Sequence, residues 1–322
     1  MTQLATPLAT PLALIFPGQG SQTVGMGQDW VARHAAARRT FEEADDALGF
    51  SLSGLCADGP AEDLQLTANT QPAILACSVA MFRALEEEIG DLGVTAVAGH
   101  SLGEYSAHVA AGTLDFGTAL RLVRRRGELM QEAVPVGVGA MAAIMGLDAD
   151  AVADVVAAVD GEGDEVCAVA NLNSSLQSVI AGHRGAVEKA VTASKEAGAK
   201  VAKMLPVSAP FHSPLMAPAR VGLTPDLDAA SFGDGRWPVW TNIDAAPSPG
   251  GAGARDALIR QIDGPVRWTE TITGLIGEGV GAFVEVGPGK VLTSLGKRID
   301  RAVRWQALTG PDDLAELWAG LS

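Results

Sequence analysis

Val94-Thr-Ala-Val-Ala98, then Gly99-His100-Ser101-Leu102-Gly103, then Glu104-Tyr-Ser-Ala-His-Val-Ala-Ala111 is the stretch that decides the fold. A short apolar run stops at a glycine, a G-x-S-x-G pentapeptide follows, and a longer stretch of good helix formers begins. A buried strand, a sharp turn and a helix are the expected elements. In that setting the glycines permit close backbone approach, and the serine hydroxyl projects at the carboxyl end of the strand. The backbone N–H groups at the helix start are free to meet an oxyanion. The bland alternative is an ordinary glycine-rich turn with Ser101 as a helix cap, since 38 of the 322 residues are glycine.

Outward from the turn, apolar strand runs alternate with helical stretches. Leu12 to Phe16 reads as a strand stopped by Pro17-Gly18. Trp30 to Leu48 and Ala73 to Ile89 read as helices, as do Leu102 to Ala111 and Phe116 to Ala133. This alternation predicts a parallel α/β sheet. From Gly139 the rhythm changes. Strands at 140–145, 166–171, 177–181 and 201–205 interleave with helices at 148–159 and 184–197. That β-α-β-β-α-β order predicts a small ferredoxin-like domain. Beyond it the expected elements are a strand at 237–241, a loop at 244–254 and helices at 255–262 and 268–278, then a strand at 282–286. The predicted organisation is an α/β-hydrolase-like large domain from residues 1–136 and 208–322. The small α+β domain, 137–207, is inserted in it. Residues 1 to 11 read as a loose leader.

Composition narrows the function classes. The 48% hydrophobic and 19% charged residues are ordinary for a globular protein. A net charge of -15 disfavours a nucleic-acid partner. Cys56, Cys77 and Cys167 are far apart and form no metal-ligand spacing. Buried inert thiols in a reducing compartment, with no metal, are expected. The N-terminus has no basic residue before Arg33, and prolines interrupt it, unlike a signal peptide. Apolar runs are too short to span a membrane. A soluble cytoplasmic protein is the expectation.

Several blocks then occur together. Gly99-His-Ser-Leu-Gly-Glu-Tyr-Ser-Ala107 resembles the signature of malonyl-CoA:acyl carrier protein transacylases. Phe16-Pro-Gly-Gln-Gly-Ser-Gln22 is similar to that family's N-terminal glycine loop, and Ser208-Ala-Pro-Phe-His-Ser-Pro-Leu-Met216 to its histidine segment. Arg260-Gln261 with Pro265-Val-Arg-Trp268, and Glu285-Val-Gly-Pro-Gly289, also match. The blocks keep family order over residues 12 to 300, and the residues after 300 match poorly.

The resemblance implies transfer of malonyl from malonyl-CoA to the phosphopantetheine thiol of acyl carrier protein. The route is ping-pong, through a malonyl-serine, in fatty-acid synthesis. It implies Ser101 as nucleophile and His212 as its general base, which fits a weak hydroxyl nucleophile and an imidazole titrating near neutrality. Without the family block, His212 reads as a surface loop residue and Gln261 as an exposed helix end. The resemblance instead has a main-chain carbonyl near Gln261 orient the histidine. It has the backbone N–H groups of Gln19 and Leu102 form the oxyanion hole, and Arg126 bind the malonyl carboxylate. Arg126 also lies three and four residues after Val123 and Leu122, on an apolar helix face where an arginine needs a partner. Phe211 is the residue that crowds a branched acyl group, or else plain packing. Asn171 and Asn173 match a segment lining the cleft. No cofactor is implied beyond the substrate, and a monomer is expected. Lys189, Lys195, Lys200 and Lys203 form a local lysine excess suited to an acidic carrier.

Four alternatives remain beside this reading. A stand-alone malonyl acyltransferase of polyketide synthesis shares the motifs, though Leu102 after the serine favours the fatty-acid branch. An esterase of the α/β-hydrolase class requires a histidine near the C-terminus, and none follows His212. An editing hydrolase or a non-catalytic docking subunit has no use for Arg126 together with Ser101 and His212.

Overall fold

The computed structural model describes residues 10–90, 93–161, 164–207, 209–248, 250–314 and 317. The expected leader lies outside these residues up to residue 9, as does Ser208. Five parallel strands form the larger sheet: β1 (Leu12–Phe16), β2 (Val94–Gly99), β7 (Val239–Trp240), β8 (Ala282–Val286) and β9 (Arg304–Leu308). Their order is β7-β2-β1-β8-β9. β1 is buried along its whole length because it has a hydrophobic cluster on each face. Leu12, Leu14 and Phe16 enter one cluster, and Ala13 and Ile15 enter the other. Such a strand reads as an unbroken apolar run, which is why it is visible in the sequence.

Around this sheet lie α1 (Gln28–Arg33), α2 (Ala35–Leu48), α3 (Leu52–Asp58), α4 (Ala61–Gln65) and α5 (Thr67–Ile89). They are followed by α6 (Gly103–Ala111) and α7 (Phe116–Glu132). The helix expected at 30–48 is two helices. His34 between them is extended, with φ -118° and ψ 124°. α5 begins before the expected Ala73 and carries Pro72 within its first two turns.

The second sheet is antiparallel, built from β3 (Gly139–Met145), β4 (Cys167–Ser174), β5 (Gln177–His183) and β6 (Val201–Met204), in the order β4-β5-β3-β6. α8 (Ala149–Val159) and α9 (Arg184–Glu196) cover it through a third cluster that includes Ile144, Val152, Ile180 and Val187.

Several elements differ from the sequence reading by more than their ends. α10 (Ala217–Ala229) was masked in the sequence by Pro218, Gly222 and Pro225. Pro218 sits in the first turn, where no N–H is needed. Pro225 removes the donor to Val221, whose side chain is exposed. α11 (Gly250–Gln261) starts inside the stretch expected to be loop. A Cβ on Gly251 would lie 2.4 Å from the Phe232 carbonyl oxygen, so its glycine serves close packing. α12 (Trp268–Gly277) and α13 (Val291–Ile299) complete the helices. The strand expected at 237–241 shrinks to β7. It is an edge strand, which tolerates Pro238 immediately before it. β9, beyond the matched blocks, extends the sheet on the opposite edge. No described helix is long and apolar enough to cross a membrane.

Candidate active site

Strand carboxyl ends gather the site. β2 leads into Ser101, which adopts a left-handed backbone with φ 52°. For a residue with a side chain this costs on the order of 1–3 kcal/mol and persists only where its surroundings enforce it. Here the enforcement is visible. A Cβ on Gly99 would lie 1.9 Å from the Gly103 backbone, and one on Gly103 would lie 2.0 Å from the Phe16 carbonyl oxygen. β1, β2 and α6 therefore touch backbone to backbone around the serine. Asn242, just past β7, closes the turn. Its Oδ1 accepts the Ser101 N–H at 2.6 Å, and its Nδ2 donates to the Gly99 carbonyl at 2.7 Å.

The loop after β6 brings in His212, also left-handed at φ 57°. Its Nε2 lies 2.7 Å from the Ser101 Oγ. Its Nδ1 faces the carbonyl oxygens of Gln261 at 3.0 Å and Gly264 at 3.2 Å. Carbonyls only accept, so Nδ1 carries the proton and Nε2 presents its lone pair to the serine hydroxyl. Burial, and then the positive charge of Arg126, push the imidazole down to about 3. It is a neutral imidazole whose Nε2 lone pair faces the Ser101 hydroxyl.

Arg126 projects from α7 into the same space and is buried. Nη1 donates to Gln71 Oε1 at 2.8 Å, and Nη2 to Gln261 Oε1 at 3.0 Å. Nη2 also lies 3.3 Å from the Ser101 Oγ. Among the described residues, Nε has no acceptor. Two neutral amides thus fix the guanidinium beside the Ser101 hydroxyl. Gln261 Nε2 donates to the Ser101 carbonyl at 3.0 Å and to Glu104 Oε2 at 2.8 Å. The glutamine that reads from sequence as an exposed helix end is buried.

The other expected residues fall in different places. Leu102 caps α6, so its N–H sits at a helix start where no intrahelical partner exists. Gln19 follows β1, exposed, and its side chain donates to Thr67 Oγ1 at 3.4 Å. Phe211 is buried in the main cluster beside His212. Asn173 Oδ1 lies 2.8 Å from His100 Nε2, joining β4 of the smaller sheet to the serine turn. Asn171 is buried in β4, where its neighbours Ala170 and Leu172 exchange backbone hydrogen bonds with Val266. Lys195, Lys200 and Lys203 are exposed.

Three site residues had no role in the sequence reading: Gln71, Glu104 and Asn242. Their signal was a polar residue within or beside an apolar run, as in Gln71-Pro-Ala-Ile-Leu. Two other histidines hold the fold locally: His108 is buried against Thr113, and His183 Nδ1 accepts the Val166 N–H. The three cysteines are buried and free, and burial pushes Cys56 and Cys167 up to about 12. No group of three or more potential metal ligands occurs among the described residues.

Residues 13–305 match a family model described as acyl transferase domain. The chain is 48% identical over 306 residues to the malonyl CoA-acyl carrier protein transacylase of Escherichia coli, covering 95% of this chain and 98% of that protein. It is 48% identical over 305 residues to the Bacillus subtilis protein of the same name, covering 94% and 95%. Among solved structures it is similar to an acyl carrier protein S-malonyltransferase from Vibrio cholerae, with a TM-score of 0.93, 46% identity, and 96% and 100% of the two chains covered. It is equally similar, at a TM-score of 0.93 and 44% identity, covering 97% and 100%, to a malonyl-transacylase in complex with a type II polyketide synthase acyl-carrier protein.

Proposed function

The chain belongs to the acyl transferase domain family, and on that premise we propose that it carries malonyl from malonyl-CoA to the thiol of an acyl carrier protein through a malonyl-Ser101 ester. The observation that carries this reading is the Arg126 guanidinium, buried, braced by two amides and 3.3 Å from the Ser101 Oγ. A fixed cation so close to the nucleophile suits an acyl group ending in a carboxylate, which a guanidinium fork binds through two parallel hydrogen bonds.

In this mechanism His212 Nε2 takes the Ser101 proton as Oγ attacks the thioester carbon. The imidazolium is held by the Gln261 and Gly264 carbonyls. The Leu102 and Gln19 N–H groups receive the developing oxyanion. Collapse breaks the C–S bond, and His212 returns the proton to the CoA sulfur. The carrier thiol then repeats the sequence in reverse, which makes the kinetics ping-pong. A malonyl carboxylate on Arg126 also offsets the charge that helps depress His212, so the substrate strengthens its own base.

We read residues 137–207 as a ferredoxin-like domain inserted in an α/β-hydrolase-like domain formed by 1–136 and 208–322. The strand order of the smaller sheet supports the first, and the serine turn of the larger one the second. Asn171 and Asn173 line the cleft, and Phe211 limits branching of the acyl group. We further read it as a monomer of the cytoplasm, with malonyl-CoA as substrate and no resident cofactor. Fatty-acid synthesis is the pathway favoured by Leu102, and service to a polyketide synthase is the second reading.

Incubation with malonyl-CoA is the direct test. One malonyl mass should be added to the intact protein and map to Ser101, and S101A should gain none. An adduct on Cys56, Cys77 or Cys167 would overturn the mechanism.

A further inference from the structure

Glu104 is a wholly buried carboxyl that the transfer mechanism leaves unused. Its Oε2 accepts the Asn242 N–H at 2.8 Å and Gln261 Nε2 at 2.8 Å. Among the described residues its Oε1 has no partner. These contacts settle which way the Gln261 amide points. Were it flipped, its NH2 group would face the Arg126 guanidinium and its oxygen would face Glu104, two repulsive contacts in place of two hydrogen bonds. The chain Glu104–Gln261–Arg126 thus sets a carboxyl and a guanidinium at opposite ends of one amide.

The charged and titratable groups facing Glu104 are few. Arg126 comes from α7, Tyr105 from α6, and Asp244 from the loop after β7. Asp244 is already paired with Arg260 at 2.7 Å. Burial keeps Tyr105 in its neutral form, and it keeps His100 and His212 neutral beyond Arg126. Arg126 is then the one buried cation among the described residues of the site, and Glu104 the one buried carboxyl that balances it. Burial, partly offset by the two hydrogen bonds and Arg126, pushes Glu104 up to about 7.

We propose that Glu104 is a positioning residue and the resident counter-ion of Arg126, and that it takes up a proton when a malonyl carboxylate occupies the clamp. The proposal rests on the malonyl reading above. One guanidinium cannot fully balance two carboxylates in a buried space, so the arriving carboxylate raises the proton affinity of the resident one. The coupling is reciprocal: a protonated Glu104 leaves Arg126 free to hold malonyl more tightly. In acylation Ser101 Oγ bonds the acyl carbon, the C–S bond breaks, and the serine proton leaves on the CoA sulfur through His212. The Glu104 proton comes from solvent and returns to it when malonyl departs. An acetyl group brings no carboxylate and calls for no such proton.

The kcat/KM ratio for malonyl-CoA over acetyl-CoA, measured against pH, tests this. In the parent the ratio should fall about fivefold or more as pH rises from about 7 towards 9, because Glu104 is then ionised in the acetyl transition state first. E104Q keeps an acceptor for Asn242 and Gln261 and removes the titration, so its ratio should be flat across that range. E104A loses the acceptor and should lower kcat on both substrates. Calorimetry of malonylation by the parent near pH 7, in two buffers of different ionisation enthalpy, gives a readout without any variant. Fractional proton uptake with malonyl-CoA and none with acetyl-CoA is expected. A parent ratio that is flat with pH, a slope that persists in E104Q, or equal uptake with both substrates overturns the proposal. A parent that accepts acetyl but not malonyl overturns the malonyl reading itself.

Discussion

Replacing Arg126 by alanine removes the only buried guanidinium that touches the Ser101 Oγ among the described residues. The parent side chain is 2% exposed, so water screens its field little. Truncating one partner of such a desolvated charge pair costs about 2–5 kcal/mol. At 1.36 kcal/mol per factor of ten, that is a loss of roughly one and a half to three and a half orders of magnitude in kcat/KM for malonyl-CoA. The Gln71 and Gln261 amide oxygens lose their donor, which lowers stability, while removal of a buried charge offsets part of that loss. Melting temperature must therefore be measured alongside. Acetyl-CoA presents no carboxylate, so its kcat/KM should fall far less, or rise. The assay is enzyme acylation by each thioester, followed by intact mass in parent and variant. Equal losses on both substrates, in a variant that melts like the parent, would refute the reasoning and make Arg126 a support for the fold or for CoA.

Other consequences are open to direct measurement. Because His212 is pushed down to about 3, it stays an unprotonated base as pH falls. Single-turnover malonylation should not decline from pH 8 to pH 5, whereas an imidazole at its ordinary value near 6.5 would lose about 30-fold. Gly103→Ala places a Cβ 2.0 Å from the Phe16 carbonyl oxygen. The backbone cannot yield there, so a loss of about 3 kcal/mol or more in denaturant unfolding is expected, and a variant as stable as the parent would show a looser elbow. Reversing exposed Lys195 and Lys200 to glutamate should raise the carrier-protein KM and leave the CoA half-reaction unaltered. An unchanged KM would move the dock elsewhere, for instance to Arg121, Arg124 and Arg125.

Much of this molecule was legible because parallel strands buried on both faces are short apolar runs. β1, β2 and β8 all read that way, and the Gly99 to Gly103 turn sat where one ended. What escaped has physical causes. α10 carries prolines at positions where a helix tolerates them, one in its first turn and one a turn after the exposed Val221. α11 opens on glycines, which report close packing against Phe232 rather than a loop. The roles of Gln71, Glu104 and Asn242 depend on partners 55, 157 and 141 residues away, and no local pattern encodes such separations.

The same distance logic explains why Gln261 matters more than its type suggests. Its main-chain oxygen orients His212, and its side chain holds Arg126, Glu104 and the Ser101 carbonyl. The proposed base, clamp and nucleophile therefore share one residue at the end of α11, but through different atoms. A change of side chain at 261 leaves the main-chain oxygen in place and disturbs the clamp and the elbow, whereas a shift of the α11 terminus moves all three. The invariant the fold has to protect is the position of that helix end relative to β2. Asn242 contributes to this: its side chain bonds Ser101 and Gly99, its N–H bonds Glu104, and Gln261 Nε2 donates to that same Glu104 oxygen and lies 3.5 Å from the Asn242 Oδ1. Edge strand β7, only two residues long, is sufficient because it has only to deliver Asn242 to that point.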